Sequence, residues 1–159
     1  VYKTKKFITD KYFLMLLPDD LIIKKNCSKS MIMVHKKFRT SVMASMKVNK
    51  NEVSRWGIYN IKNKIDKNNF IINNVVEKPT IKASPSNNAV IGRYILPKTI
   101  FSKLKSLKPG KSGEFHITDA IQALIEDDHQ FIGHNFSGKY LDCGTMKGYI
   151  KSTLEISKQ

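Results

Sequence analysis

Cysteine, arginine and long apolar runs are all scarce in this sequence of 159 residues. The only cysteines, Cys27 and Cys143, lie far apart, which excludes a disulfide framework and favours free thiols in a reducing cytoplasm. No apolar run approaches the roughly 20 residues of a bilayer-spanning helix, and the first residues lack the apolar segment of a secretory signal. We therefore expect a cytoplasmic protein that has no membrane partner.

Acidic residues are also few, since 13 of them face 28 lysines and arginines, which gives a net charge of +15. Such a charge is typical of nucleic-acid binders. However, the only arginines are Arg39, Arg55 and Arg93, and the lysines are spread along the whole chain. Recognition of phosphates and bases favours the forked guanidinium group. A solvated lysine surface without a nucleic-acid partner is the better interpretation, and a polyanion-binding patch is the alternative.

Length and composition indicate one domain, residues 1–159, that is large enough to bury a core. The apolar run Phe13–Leu17 is unalternated and ends at a proline, which is typical of a strand buried on both faces in a parallel sheet. Asp19 and Asp20 follow it at the carboxyl end, where open α/β sheets bind ligands. Either aspartate could bind Mg²⁺ or cap the next helix, and one could serve each purpose.

The segment from Val75 to Leu96 organises the rest of the chain. Glu77 and Lys78 stand before Pro79, which ends a strand, so an acid and a base are expected at the strand tip on opposite sides of a cleft. A turn-rich interval and a second apolar run follow. This arrangement suits a sugar phosphate, although a surface ion pair before a turn is the simpler alternative.

The remaining elements follow from apolar spacing, caps and breakers. The four histidines have no metal-type spacing and are expected in loops or at the surface. A flexible loop is expected at Lys111–Glu114. Expected helices are Asp20–Arg39, Pro97–Leu107, Ala120–Asp127 (capped by Thr118 or Asp119) and Met146–Ile156; expected strands are Ser41–Val48, Ser54–Tyr59, Phe70–Val76, Ala89–Leu96, Phe131–Phe136 and Lys139–Thr145.

Taken in order, the segments LLPDDLI, EVSRWGIYNI, VVEKP, SPSNNAVIGRYIL, KPGKSGEFHITDAIQALIE and YLDCGTMKGYIKSTLE closely resemble the sugar-phosphate nucleotidylyltransferases. Among these, the bacterial UTP–glucose-1-phosphate uridylyltransferases are the most similar. The resemblance covers nearly the whole chain. It implies a doubly wound α/β fold, Rossmann-like, with a mixed and mainly parallel sheet. It also implies the Mg²⁺-dependent reaction of UTP with glucose 1-phosphate to give UDP-glucose and pyrophosphate.

The resemblance also implies roles for individual residues. Asp19 would bind Mg²⁺, with Asp142 as a second metal ligand. Lys78 would hold the phosphate of glucose 1-phosphate and Glu77 the glucose hydroxyls. The remaining sugar contacts would come from Gly57 through its backbone and from Asn87, Val90 and Thr118.

The sequence departs from the family pattern in three places. Trp56 stands where tyrosine is usual and Asn88 where leucine is usual. The glycine-rich loop GxGTRxxPxTK, which cradles the UTP phosphates, does not occur in the sequence. We therefore expect the C-terminal portion of the family fold, with the N-terminal strands missing, an apolar sheet edge where they belong, and little or no UTP turnover by this chain alone.

Several alternatives remain open at this stage. A glucose-1-phosphate thymidylyltransferase, or another sugar nucleotidyltransferase, is the main rival in the same family. A non-catalytic sugar-phosphate-binding remnant, or a subunit that complements an N-terminal piece, is the alternative outside catalysis. The family commonly forms homo-oligomers, and the sequence alone does not decide the oligomeric state.

Overall fold

A computed structural model of the chain describes residues 1–109, 113 and 115–158. The loop expected at Lys111–Glu114 lies, apart from Gly113, outside the described residues. The strands are β1 (Tyr12–Leu16), β2 (Asp20–Ile23), β3 (Ser41–Lys47), β4 (Gly57–Lys64), β5 (Asn69–Glu77), β6 (Asn88–Pro97), β7 (Phe131–Asn135) and β8 (Lys139–Asp142). The α-helices are α1 (Cys27–Phe38), α2 (Ile100–Ser106), α3 (Ile117–Glu126) and α4 (Met146–Ile156).

The main sheet has six strands in the order β1-β6-β3-β7-β5-β4. Strand β4 also reaches back to β6 through the pair Ile58 and Ala89, so the sheet curls on itself. Strands β2 and β8 form a separate antiparallel pair beside it. The expected α/β fold with a mixed sheet is confirmed. The expectation of a mainly parallel sheet is wrong for the described residues, in which β3 and β7 are the only neighbouring strands that pair in parallel.

Helices cover both faces of the sheet, as the doubly wound prediction requires. On one face, α1 packs Met31 and Val34 against β3, β6 and β7. On the other, Phe101 of α2 and Ile121 of α3 pack against the same strands together with Tyr59 of β4. Strand β3 lies between these layers, and its first five residues are fully buried. The sheet is therefore a rigid platform for residues at the strand ends.

Strand β1 differs from its prediction. It pairs antiparallel with β6 and forms one edge of the sheet, instead of a parallel strand buried on both faces. Leu14 and Leu16 on this strand are 37% and 49% exposed. The run of apolar residues that suggested burial on both faces is therefore found at an apolar edge, which agrees with the expectation of such an edge in this chain.

The first helix is shorter than predicted. Residues 20–23 form β2, and the helix begins only after Asn26, whose side chain accepts a hydrogen bond from the Lys29 N–H over 2.9 Å. Asp20 therefore does not cap a helix. Similarly, Pro97 ends β6 instead of beginning α2, and His116 occupies the N-cap position of α3, where we expected Thr118 or Asp119.

The histidine prediction is also partly wrong. His134 lies in β7 and is 7% exposed. One ring nitrogen lies 2.8 Å from Asn69 Oδ1 and the other 3.1 Å from Ser30 Oγ. Both cysteines are free, as expected. Within residues 1–109, 113 and 115–158, no helix is long and apolar enough to cross a bilayer.

Candidate sugar-phosphate and metal site

A cavity of about 260 Å³ opens where β1, β4, β5 and β6 meet the start of α3. Four of the predicted site residues line it, namely Gly57, Glu77, Val90 and Thr118. The sequence separates them by up to 61 positions, and the curl of the sheet brings them together. The other lining residues are Leu17, Asp20, Arg55, Trp56, Gly92, Tyr94, His116 and Ile117.

Gly57 and Glu77 face each other across the β4–β5 ladder. A Cβ atom on Gly57 would lie 3.0 Å from Glu77 Oε2 and 3.4 Å from Val90 Cγ2. Only a residue without a side chain leaves this space open to a ligand. The backbone of Gly57 and the Glu77 carboxylate are therefore placed to contact the same bound molecule.

Lys78 follows Glu77 at a sharp turn of the backbone. Its φ is 44°, a left-handed conformation that costs a non-glycine residue about 1–2 kcal/mol. The Lys78 N–H donates to the Trp56 carbonyl over 3.0 Å, which fixes the turn. The side chain is exposed beside the cavity and is not one of the residues that line it in the described structure. Strain of this kind concentrates at functional sites.

The Asp20 carboxylate is held by hydrogen bonds within the fold. Its carboxylate accepts the Gly92 N–H over 2.5 Å and a short hydrogen bond from the Tyr140 hydroxyl. Burial and the adjacent Asp20 carboxylate raise the pKa of Tyr140, so this hydroxyl remains a donor. The two bonds join β2, β6 and β8, and they occupy both carboxylate oxygens of Asp20.

Asp19 and Asp142 lie on either side of Gly144. A Cβ atom there would be 2.9 Å from Asp19 Oδ2 and 3.3 Å from Asp142 Oδ1, so both carboxylates closely approach the Gly144 backbone and leave no room for a methyl group. The Cys143 N–H donates to the Asp19 carbonyl over 2.8 Å and joins the two segments. Asp20 also pairs with Asp142 across the β2–β8 ladder, but both of its carboxylate oxygens already accept hydrogen bonds from Gly92 and Tyr140.

These two carboxylates suit a hard cation. Mg²⁺ usually takes one or two protein carboxylates and completes its shell with water and substrate phosphate oxygens. The described residues contain no group of three or more acidic, histidine or cysteine side chains that could hold a metal. The set of Asp19 and Asp142 therefore fits Mg²⁺ that is shared with a phosphate ligand, and it does not fit a metal held by protein alone.

Arg55 connects the cavity with the carboxylate pair. It lines the cavity, and its guanidinium lies 3.7 Å from Asp142 Oδ2. The side chain is 58% exposed, so the ion pair itself adds little stability. The contact is informative for position, because it places Asp142, which does not itself line the cavity, next to a side chain that does.

The structure places Asn87 elsewhere. Its side-chain amide donates to the Val48 carbonyl over 3.2 Å, and its own carbonyl accepts the Val48 N–H over 2.9 Å. It lines a second cavity, at the ends of β3 and β7. The prediction that Asn87 shapes the sugar pocket gains no support from this position.

Tyr94 is a lining residue that the sequence did not reveal. It is 4% exposed, and burial together with the Asp20 and Glu77 carboxylates raises the pKa of its hydroxyl. In the sequence it stands in an apolar strand with no motif around it, so it resembles an ordinary core residue. Its neighbour Gly92, which interrupts the apolar run, was the only local signal.

Comparison with known proteins identifies similar chains. The family model described as nucleotidyl transferase matches residues 1–159. The UTP–glucose-1-phosphate uridylyltransferase of Pseudomonas aeruginosa is 36% identical over 152 residues, which is 94% of this chain and 54% of that protein. The chain spans about half the length of the curated relatives it matches.

Two solved structures have the same fold at 35% identity. An apo UDP-glucose pyrophosphorylase superposes with a TM-score of 0.92 over 99% of this chain and 58% of that one. A UDP-glucose pyrophosphorylase in complex with UDP-glucose superposes with a TM-score of 0.90 over 99% of this chain and 61% of that one. The α/β fold predicted from the sequence therefore agrees with its solved relatives.

Proposed function

This chain belongs to the nucleotidyl transferase family, and we propose that it forms the sugar-phosphate and metal half of a UTP–glucose-1-phosphate uridylyltransferase. The proposed reaction joins UTP and glucose 1-phosphate to give UDP-glucose and pyrophosphate. The observation that carries the proposal is that Gly57, Glu77 and Thr118 line one cavity. Arg55, which also lines it, forms an ion pair with Asp142.

In this reaction a phosphate oxygen of glucose 1-phosphate attacks the α-phosphorus of UTP in line, and pyrophosphate leaves. The protein contributes mainly by positioning the two phosphates and by offsetting their charge. Glu77 would accept hydrogen bonds from glucose hydroxyls, and the Gly57 backbone would contact the same sugar. Lys78, at the exposed turn beside Glu77, would bind the sugar phosphate through its ammonium group.

Val90 and Thr118 would complete the sugar pocket. Both residues line the cavity, where Val90 would contact an apolar face of the sugar and the Thr118 hydroxyl would hydrogen-bond to it. Asp19 and Asp142 would hold Mg²⁺, which when bound would neutralise phosphate charge during transfer. Arg55, which now pairs with Asp142, would also be free to turn toward a phosphate group.

Binding is the direct test, because the chain spans about half the length of its relatives. Calorimetric titration of the purified chain with glucose 1-phosphate and with UTP, each with Mg²⁺, should give saturable binding of the sugar phosphate and weaker binding of UTP. Glu77→Gln should weaken glucose 1-phosphate binding about tenfold, as expected for loss of one charged hydrogen bond.

A matched control is Glu126→Gln, because Glu126 is an exposed acid at the end of α3, outside the cavity, and its carboxylate accepts a hydrogen bond from the Gln122 amide. This control should bind glucose 1-phosphate as the parent chain does. Absence of glucose 1-phosphate binding, or equal weakening by both substitutions, would refute the proposed role of the cavity.

A further inference from the structure

A second cavity, of about 240 Å³, lies at the carboxyl ends of β3 and β7. In the described structure it shares no lining residue with the first cavity. Three lysines from different elements border it: Lys47 ends β3, Lys64 ends β4, and Lys67 lies in the turn between β4 and β5. Its volume is below the roughly 300–1,000 Å³ of drug-sized ligand pockets, so a ligand would be small.

Strand register places polar side chains on one face of the sheet at this cavity. Lys47 of β3 pairs with Asn88 of β6, and Ser45 of β3 pairs with Asn135 of β7. Residues 45 and 47 are two apart on the strand and therefore point to the same face. Four polar side chains from three neighbouring strands thus lie together. Two residues before Ser45 on the same face of β3, Met43 still belongs to the apolar core.

Three oxygens of this group are buried without a hydrogen-bond partner in the described part of the chain, namely Ser45 Oγ, Asn88 Oδ1 and Asn135 Oδ1. Asn88 is 7% exposed and lines the cavity, as does Asn135. Buried polar atoms of folded proteins are nearly always hydrogen-bonded, and an orphan acceptor costs free energy. The two asparagine oxygens are therefore available to donors from outside the polypeptide, whereas the Ser45 hydroxyl can donate as well as accept.

The three lysines outnumber Asp66, the acid that borders the same cavity. Asp66 accepts hydrogen bonds from the Asn68 and Asn69 N–H groups and from the Asn69 amide, at 2.8–2.9 Å. These bonds lower the pKa of Asp66 and keep its carboxylate within its own turn. Among the described residues, none of the three lysines forms an ion pair. The cavity thus offers cations at its rim and hydrogen-bond acceptors inside.

We propose that this cavity binds a small phosphorylated polyol, at a site separate from the sugar-phosphate cavity. The ligand phosphate lies at the rim, where the ammonium groups of Lys47, Lys64 and Lys67 donate to its oxygens. The ligand hydroxyls point inward and donate to Asn88 Oδ1 and Asn135 Oδ1. A phosphate without hydroxyls would leave the inner oxygens without hydrogen-bond donors. A neutral polyol would leave the positive charge of the three lysines at the rim without an anionic partner.

The test is a titration with glycerol 3-phosphate followed by ¹H–¹⁵N spectra, in which side-chain amides of asparagine give separate signals. Saturable shifts are expected at the side chains of Asn88 and Asn135. Lys64→Gln, at an exposed position, should weaken binding about tenfold, the effect of losing one charge-assisted hydrogen bond. Lys151→Gln, an exposed lysine on α4, is the matched control and should bind as the parent chain does.

Two further measurements complete the experiment. Lys78→Ala should leave the shifts of the Asn88 and Asn135 side chains unchanged, since Lys78 does not line the second cavity. Inorganic phosphate should bind at least about tenfold more weakly than glycerol 3-phosphate, because it offers no hydroxyls to the inner oxygens. Equal affinity for the two ligands, equal loss in the Lys64 and Lys151 variants, or shifts confined to residues near Lys78 would each overturn the proposal.

Discussion

The Glu77 carboxylate lies 3.0 Å from the position that a Cβ atom on Gly57 would occupy. The two residues are direct partners in the β4–β5 ladder, so their backbones cannot move apart without disturbing that pair of strands. Val75 Cγ1 and Val90 Cγ2 bound the same space at 3.3 and 3.4 Å. The size of the space beside the Gly57 Cα atom is therefore set by backbone pairing and by three side chains.

Gly57→Ala should consequently weaken glucose 1-phosphate binding with little effect on folding. The added methyl group displaces the Glu77 carboxylate from its position, and loss of its charged hydrogen bond corresponds to about tenfold in affinity. The unfolding free energy should change by less than about 1 kcal/mol, because alanine also restricts the unfolded chain. Calorimetry and urea denaturation measure the two quantities, and unchanged affinity would remove Gly57 from the proposed sugar contacts.

The two aspartates after β1 should respond differently to the same substitution. Asp20→Asn should lower the unfolding free energy by about 1–3 kcal/mol, because it weakens the bonds from Gly92 and Tyr140 to a charged acceptor. Asp19→Asn, at an exposed position, should change stability by less than about 0.5 kcal/mol. Urea denaturation of both variants tests this division.

Asp19→Asn should instead abolish the dependence of glucose 1-phosphate binding on Mg²⁺. The remaining carboxylate of Asp142 would be a poor Mg²⁺ site by itself, since the cation prefers additional oxygen ligands. Titration with and without Mg²⁺ gives the comparison. If the Asp19 variant retained the full effect of Mg²⁺, Asp19 would not be a metal ligand.

Lys78 permits a comparison that separates charge from backbone conformation. Lys78→Ala and Lys78→Gly both remove the ammonium group and should weaken glucose 1-phosphate binding much more than UTP binding. Because φ is 44° at this position, the glycine variant should be about 1 kcal/mol more stable than the alanine variant. Equal loss of affinity for both ligands would argue against a role for Lys78 at the sugar phosphate.

Stability should fall as the pH is lowered through about 6.5, because burial lowers the pKa values of His129 and His134 in the folded chain. The unfolded chain then binds more protons than the folded one. The neutral rings contribute fully above the ordinary histidine pKa of 6.5, and this contribution is lost as the pH falls toward the lowered values. Urea denaturation from pH 8 to pH 5 measures the effect.

His134→Gln should reduce this pH dependence, since it removes one of the two titrating rings. Comparison at pH 8, where the ring is neutral, gives the separate cost of lost packing and hydrogen bonds. An unchanged slope between pH 8 and pH 5 in this variant would show that His134 does not titrate differently in the folded and unfolded chains.

The sequence predicted elements well where local patterns determine them. Helix α4 has the predicted bounds, because Thr145 caps it by accepting the Gly148 N–H over 3.0 Å. Strand β3 was predicted as Ser41–Val48, although polar and apolar residues alternate only weakly there, and the structure explains this pattern because helices cover both faces of the strand. Local composition did not predict pairing partners, and so β1 was expected to be parallel and buried when it is an antiparallel edge.

The candidate site shows the same division. Glu77, Gly57, Val90 and Thr118 were identified through motifs of the family, and they line one cavity in the structure. Tyr94 was not predicted, because it reaches the cavity only where the sheet curls and brings β4 next to β6. No local sequence pattern indicates that curl. The sequence could not decide which of Asp19 and Asp20 is available to a metal. The answer depends on hydrogen bonds that the Asp20 carboxylate accepts from residues distant in sequence.

Strand β6 pairs with β1 on one side and with β3 on the other, and it also contacts β4. Residues 90 and 92 of the first cavity and residue 88 of the second all belong to it. Main-chain amides held on both sides of a strand open only with the whole domain. A change of ligand preference during evolution would therefore arise more easily at residues 55 and 116, which line the first cavity from outside this strand, than in the strand itself.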